Sequence, residues 1–133
     1  MSEYFQAISS KETIFVIIGT VLGSFLRFHL IDWFSNLFQR KYLGTIFVNS
    51  LSTFFLAIII SSYNKILIFN SGYILFFSVG LLGSLSTFST FIIDIFQILQ
   101  KKKVLEAFFI ALISILLTLI FGSIGYWVIK LCF

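Results

Sequence analysis

The run GLLGSLSTFSTF, from Gly80 to Phe91, sets small residues, hydroxyls and two phenyl rings side by side without a charge, inside an otherwise oily stretch. Polar groups surrounded by hydrocarbon cost several kcal/mol each when unsatisfied, so such a run must be buried against protein or line a polar path. Phe88 and Phe91 are three residues apart, which on a helix turns both rings to one face. A phenyl ring has a negative face and a positive edge. Two edges turned to a narrow path therefore favour an anion without the grip of a fixed charge. Packing or lipid contact is the ordinary use of Phe in a chain with 19 of them, but Ser86, Thr87, Ser89 and Thr90 interleave with this pair.

Other polar residues stand out of place in oil. Asn49, in GTIFVNSLSTFF, falls within about two turns of a helix start. Its amide either makes a helix-to-helix hydrogen bond or donates to an anion. Ser50, Ser52 and Thr53 add hydroxyls that can bond back to the preceding turn. In IIGTVLGSFLRFHL, Gly19 and Gly23 sit at i,i+4, a spacing that lets helices approach closely, and Arg27 follows four residues on. That charge either snorkels to an interface or takes a buried partner. His29 reads as an interfacial residue rather than a ligand. Asp94, three residues after Phe91, reads as a structural carboxylate paired with Arg27 or with a lysine at a helix end. Ser114, Thr118 and Gly122 form one small, polar stripe at i,i+4 spacing, suited equally to packing and to ion contact.

The elements that must hold these residues follow from composition. The 133 residues are 59% hydrophobic and 11% charged, with a mean hydropathy of +1.11 and no Pro. Soluble domains carry about 25% charged residues, so this chain cannot cover a water-facing surface. It reads as a single all-α membrane domain, residues 1–133, with four apolar segments of about 13–34, 43–62, 73–99 and 104–131, each near the ~20 residues a spanning helix needs. A polar loop is expected over Ser35–Tyr42, and another over Tyr63–Gly72. The net charge of +4 does not indicate nucleic acid, because most basic residues lie between apolar runs, where they anchor helix ends. Lone Cys132 provides neither disulfide nor metal cluster. The start, MSEYFQAISSKE, lacks a basic n-region and a cleavage site, so the first span is expected to be retained. With one His, one Cys and no carboxylate pair at helical spacing, no enzyme is expected. Four spans put Lys11, Lys65 and Lys130 on one side and Arg40, Lys41, Lys101, Lys102 and Lys103 on the other. So small a bias leads to either mixed insertion or a mild preference for both termini outside, and with mixed insertion two copies of opposite orientation can pair about an axis in the membrane plane.

GTVLGSFLR in the first span, GTIFVN in the second, and GLLGSLSTFSTF with an acid three residues later in the third together resemble the Fluc (CrcB-type) fluoride-channel family, in order and spacing, across nearly the whole chain. The resemblance implies a third helix broken mid-membrane and an antiparallel dual-topology dimer with two fluoride pores. It implies a structural sodium ion at the dimer centre, held by backbone carbonyls of Gly83 and Ser86 from both subunits. Carried over by motif, Asn49 is the pore amide, Phe88 and Phe91 are the paired rings, Arg27 is the first-span arginine, and Ser114 and Thr118 form the hydroxyl track of the fourth span. Ser84, Ser86, Ser52 and Ile110 depart from the family's usual Gly, Thr, Gly and Tyr, and Asp94 shortens its usual Glu. Sodium binding through carbonyls is indifferent to these changes, whereas Ile110 removes a pore hydroxyl.

The resulting expectation is a passive fluoride channel, a multi-pass protein of the inner (plasma) membrane that confers fluoride resistance. Its partners are fluoride, membrane lipid, and a second copy or a paired homologous subunit. Two alternatives remain at this point. One is half of a heterodimeric fluoride channel. The other is a small proton-coupled multidrug exporter, which needs a first-span carboxylate; here no acid precedes Asp32 near the end of that span.

Overall fold

The computed structural model describes residues 10–63 and 71–132, and within them only 39–40, 86–87 and 101–103 leave a helix. Lys65, the middle of the second expected loop and the residues before Ser10 lie outside the described residues. The elements are α1 (Ser10–Phe38), α2 (Lys41–Tyr63), α3 (Ser71–Leu75), a π-helical segment (Phe76–Leu82), α4 (Gly83–Leu85), α5 (Phe88–Gln100) and α6 (Val104–Cys132). Four stretches, Glu12–Phe38, Lys41–Ser62, Gly72–Gln100 and Val104–Leu131, are long and apolar enough to cross a membrane. Large apolar side chains stay outside: Phe28 and Leu105 are each 70% exposed. A fold whose solvent is hydrocarbon gains nothing by hiding them.

The corners are tighter than the sequence suggests. In place of a loop over Ser35–Tyr42, only Gln39 and Arg40 separate α1 from α2. The polar residues fold back onto the helix, with Ser35 Oγ donating to the Asp32 carbonyl (2.9 Å) and Asn36 Nδ2 to Asp32 Oδ2 (3.5 Å). Meanwhile Phe34 stacks on Phe47 of α2, centroids 4.7 Å apart at 12°. Gln39 then turns the chain with φ 53°. The second corner uses the same device: Lys102 has φ 60°, its N–H bonds the Leu99 carbonyl (2.8 Å), and the Lys103 N–H bonds that of Ile98 (3.4 Å). This is the left-handed helix end usually given to Gly.

Close approach depends on glycine. A Cβ on Gly19 would meet the Phe76 carbonyl at 2.6 Å and the Gly80 Cα at 3.0 Å, so α1 and the π-helical segment touch backbone to backbone. Gly125 does the same for α6, where a Cβ would collide with the Phe54 carbonyl of α2. The buried centre is small, built of Val48, Leu82 and Leu85 with Leu30, Ile31 and Phe47 packed on it. It ties α1, α2 and the third span together, while α6 lies mainly along α2.

Candidate functional site

Thr45 and Asn49 stand one turn apart on α2 and face the third span. Thr45 Oγ1 donates to Asp94 Oδ2 at 2.7 Å, both residues being buried. A hydrogen bond to a carboxylate contributes about 1.5–3 kcal/mol. Asp94 is therefore paired, as expected, but with a neutral hydroxyl rather than with Arg27 or a lysine. The reason is that Arg27 is engaged elsewhere: its Nη1 donates to the Ser84 carbonyl at 3.2 Å. The first-span charge has a partner within the chain instead of snorkelling.

Asn49 holds the place where helix is lost. Ser86 (φ −68°, ψ 142°) and Thr87 (φ −146°, ψ 123°) are extended between α4 and α5. The Ser86 N–H still reaches the Leu82 carbonyl (3.1 Å). The Thr87 N–H, which a continuous helix would direct to the Gly83 carbonyl, donates to Asn49 Oδ1 instead (2.8 Å). In return Asn49 Nδ2 donates to the Thr87 carbonyl (3.1 Å), and Ser86 Oγ donates to Oδ1 (3.3 Å). One side-chain amide thus satisfies both main-chain groups of Thr87, as a neighbouring strand would. An amide carries two N–H donors, so one remains for another acceptor. The helix restarts at once because Thr87 Oγ1 accepts from the Thr90 N–H (3.4 Å) as an N-cap.

Around this junction the remaining sequence candidates are distributed as follows. The Phe88 and Phe91 rings have centroids 6.0 Å apart, inclined at 41°; Phe91 is half-buried and Phe88 is 74% exposed. Gly83 is exposed, and a Cβ there would meet only the Ser78 carbonyl at 3.4 Å. Gly19 and Gly23 serve contact of α1 with the third span; a Cβ on Gly23 would collide with Ser84 Oγ and the Leu81 carbonyl. Ser114 is buried, and Thr118 Oγ1 donates to its carbonyl (2.9 Å). Thr118 and Gly122 line a groove of about 400 Å³ with Thr53 of α2. Thr53 Oγ1 also donates to the Asn49 carbonyl (2.9 Å), so it links that groove to the junction. Ile110 is buried in the core. His29 is exposed, edge-on to Phe25 (centroids 4.3 Å apart).

Ser52 bonds back to the Val48 carbonyl (2.8 Å), as its spacing predicts, but Ser50 Oγ is buried with no hydrogen-bond partner among the described residues. Sequence reasoning passed over Thr45 and the Ser84 carbonyl. Thr45 has a faint signal, being four residues before Asn49 and so on the same face of α2. A backbone carbonyl has none. Outside the spans, the Tyr42 hydroxyl accepts from Arg40 Nη1 (2.7 Å) and raises that guanidinium above the ordinary arginine range.

Comparison with known proteins places most of the chain in one family. Residues 14–126 match the family model described as CrcB-like protein, Camphor Resistance (CrcB). The chain is 34% identical over 118 residues to "Fluoride-specific ion channel FluC 1" of Parasynechococcus marenigrum, covering 89% of this chain and 93% of that one. It is 37% identical over 113 residues to "Fluoride-specific ion channel FluC" of Acinetobacter baylyi, covering 81% and 87%. To the protein of that name from Escherichia coli O1:K1 it is 31% identical over 123 residues, covering 92% and 98%. The matched residues 14–126 run from before Gly19 to beyond Gly122, and over that extent, at 31–37% identity to these relatives, the chain belongs to the CrcB-like family of ion channels, which are not enzymes.

Proposed function

We propose that this chain conducts fluoride passively across the inner (plasma) membrane, letting the ion leave the cytoplasm down its electrochemical gradient. The observation that carries the proposal is the Asn49 junction: a side-chain amide locked by Thr87 and Ser86, with one N–H to spare, immediately before Phe88. The names of the relatives, fluoride-specific ion channels, supply the ion. Fluoride is small and strongly hydrated, so its path must replace water with donors and must not hold it too tightly. The spare Asn49 N–H, the hydroxyl of Ser114 and the positive edges of Phe88 and Phe91 are neutral donors of that kind, while the Thr118 hydroxyl, whose proton goes to the Ser114 carbonyl, joins them only by turning away from it.

The working unit in this proposal is an antiparallel, dual-topology dimer whose third spans meet at mid-membrane depth, where each helix is interrupted. A structural sodium ion fits there on the chemistry of the donors. A hard cation takes oxygen ligands, and the turn of Thr87 toward Asn49 releases the Gly83 carbonyl on an exposed face, close in sequence to that of Ser86. Arg27 occupies the intervening Ser84 carbonyl and so fixes the backbone between them. A second form of the proposal pairs this chain with a homologous subunit of fixed orientation. It is favoured by buried Ile110, which contributes no hydroxyl. The multidrug exporter loses its basis, since the first span offers Arg27 bound to a carbonyl where a proton-exchanging carboxylate is required.

The test is ion efflux from liposomes holding the full chain. Fluoride efflux well above that of chloride is expected, with a loss of at least about tenfold in Asn49→Ala and in Phe88→Ile. Equal fluoride and chloride flux would remove the proposal, and flux appearing only with a co-reconstituted homologue would select the heterodimer.

A further inference from the structure

At the end of the molecule where α1 turns into α2 and α5 into α6, the two corners enclose a cleft of about 460 Å³. Arg40 and Lys41 line it from one corner, Lys101 and Lys103 from the other, and Asp94 and Glu106 are the carboxylates on its wall. Glu106 is ion-paired with Lys103 at 2.9 Å, while Asp94 accepts from the Thr45 hydroxyl at 2.7 Å, a neutral partner, so the basic side chains of the wall outnumber its two carboxylates. Arg40, Lys41 and Lys101 are exposed and have no carboxylate within ion-pair distance among the described residues. Arg40 is held in place by its hydrogen bond to Tyr42 and lies 6.0 Å from the centroid of that ring. The space is too wide to strip water from a halide, so it is not a selectivity element.

We infer that this cleft binds the phosphate of an anionic membrane lipid. The guanidinium of Arg40 offers a planar fork suited to two phosphate oxygens, and Lys41 and Lys101 add point charges from either side. A lipid is favoured over a soluble phosphate because of depth. Lys41 opens one span and Lys101 and Lys103 sit between the ends of two others, so the cleft lies at the level of the headgroups, where basic residues beside spans meet the anionic leaflet. A lipid so held braces the two tight corners, which have no covalent link and are each turned by a non-glycine residue at positive φ.

The test uses the full-length protein in detergent with mixed phosphatidylglycerol and phosphatidylcholine, counting retained lipids by native mass spectrometry. Wild type is expected to prefer phosphatidylglycerol by at least about tenfold, the scale set by two or more basic residues near the surface. Arg40→Gln with Lys101→Gln should bring the preference close to parity, while Lys130→Gln at the opposite end leaves it unchanged. All three side chains are exposed, and circular dichroism checks that each variant keeps its helices. Equal retention of both lipids by wild type would overturn the inference, as would a preference untouched by the double variant. Displacement of the lipid by millimolar glycerol 3-phosphate would place the ligand in water and overturn the lipid assignment.

Discussion

The carboxylate of Asp94 shows how little polar chemistry this fold permits without an immediate partner. Its oxygen lies 2.7 Å from the Thr45 hydroxyl; both residues are buried, with Asp94 reaching the wall of the cleft between the two corners. Replacing Thr45 by Val keeps the shape of the side chain but leaves Asp94 facing a methyl group. Removing the donor to a buried charged acceptor costs about 2 kcal/mol. Thr45→Val should accordingly lower the thermal midpoint in detergent, and Thr45→Ser, which keeps the hydroxyl, should restore most of it. If Val and Ser behave alike, the hydroxyl contributes nothing and the pair is incidental. Asn49 is under a stricter version of the same constraint, because its amide answers for both main-chain groups of Thr87. Only a side chain with a donor and an acceptor on one planar group can do that.

At the scale of elements, glycine decides which helices touch. Gly19 faces backbone on every side, with the Phe76 carbonyl 2.6 Å and the Leu81 nitrogen 3.0 Å from where a Cβ would be. None of these atoms can rotate away, so Gly19→Ala must push α1 off the π-helical segment, at a cost of about 1–3 kcal/mol. The expected result is a clear fall in thermal midpoint for Gly19→Ala, measured beside Gly83→Ala, whose Cβ meets only one carbonyl at ordinary contact distance. Equal midpoints would mean that the α1 contact is loose. The paired glycines were legible in sequence because i,i+4 spacing of small residues has one common physical use. The spans were legible too, since runs of about 20 apolar residues leave few other choices. The corner at Gln39 was not: polar Ser35 and Asn36 suggested a loop, and nothing local reveals that they bond back to Asp32. Nor was the partner of Asp94, because Thr45 lies 49 positions away and only the packing of α2 on α5 joins them.

For the whole molecule, the exposed side of the third span poses the remaining question. Gly83 is exposed, and the turn of Thr87 toward Asn49 takes the helical donor away from its carbonyl. Facing hydrocarbon, such a carbonyl costs several kcal/mol, which is an unusual expense on a surface made mostly of large apolar side chains such as Phe77, Phe88, Ile92, Ile93 and Phe96. A second copy laid against this face removes the carbonyl from lipid, and the dimer proposed above does so symmetrically. The subunit itself has room at the position, since a Cβ on Gly83 would meet only the Ser78 carbonyl, at 3.4 Å. A larger side chain there therefore obstructs a neighbour while sparing the fold. Gly83→Leu should keep the helical circular dichroism spectrum of the wild type, yet shift the protein toward monomers by at least about tenfold in subunit-capture experiments at high lipid dilution. Dimers that persist at wild-type dilution would show that the third span does not form the interface, and the two-pore arrangement would then have to be rebuilt around another face.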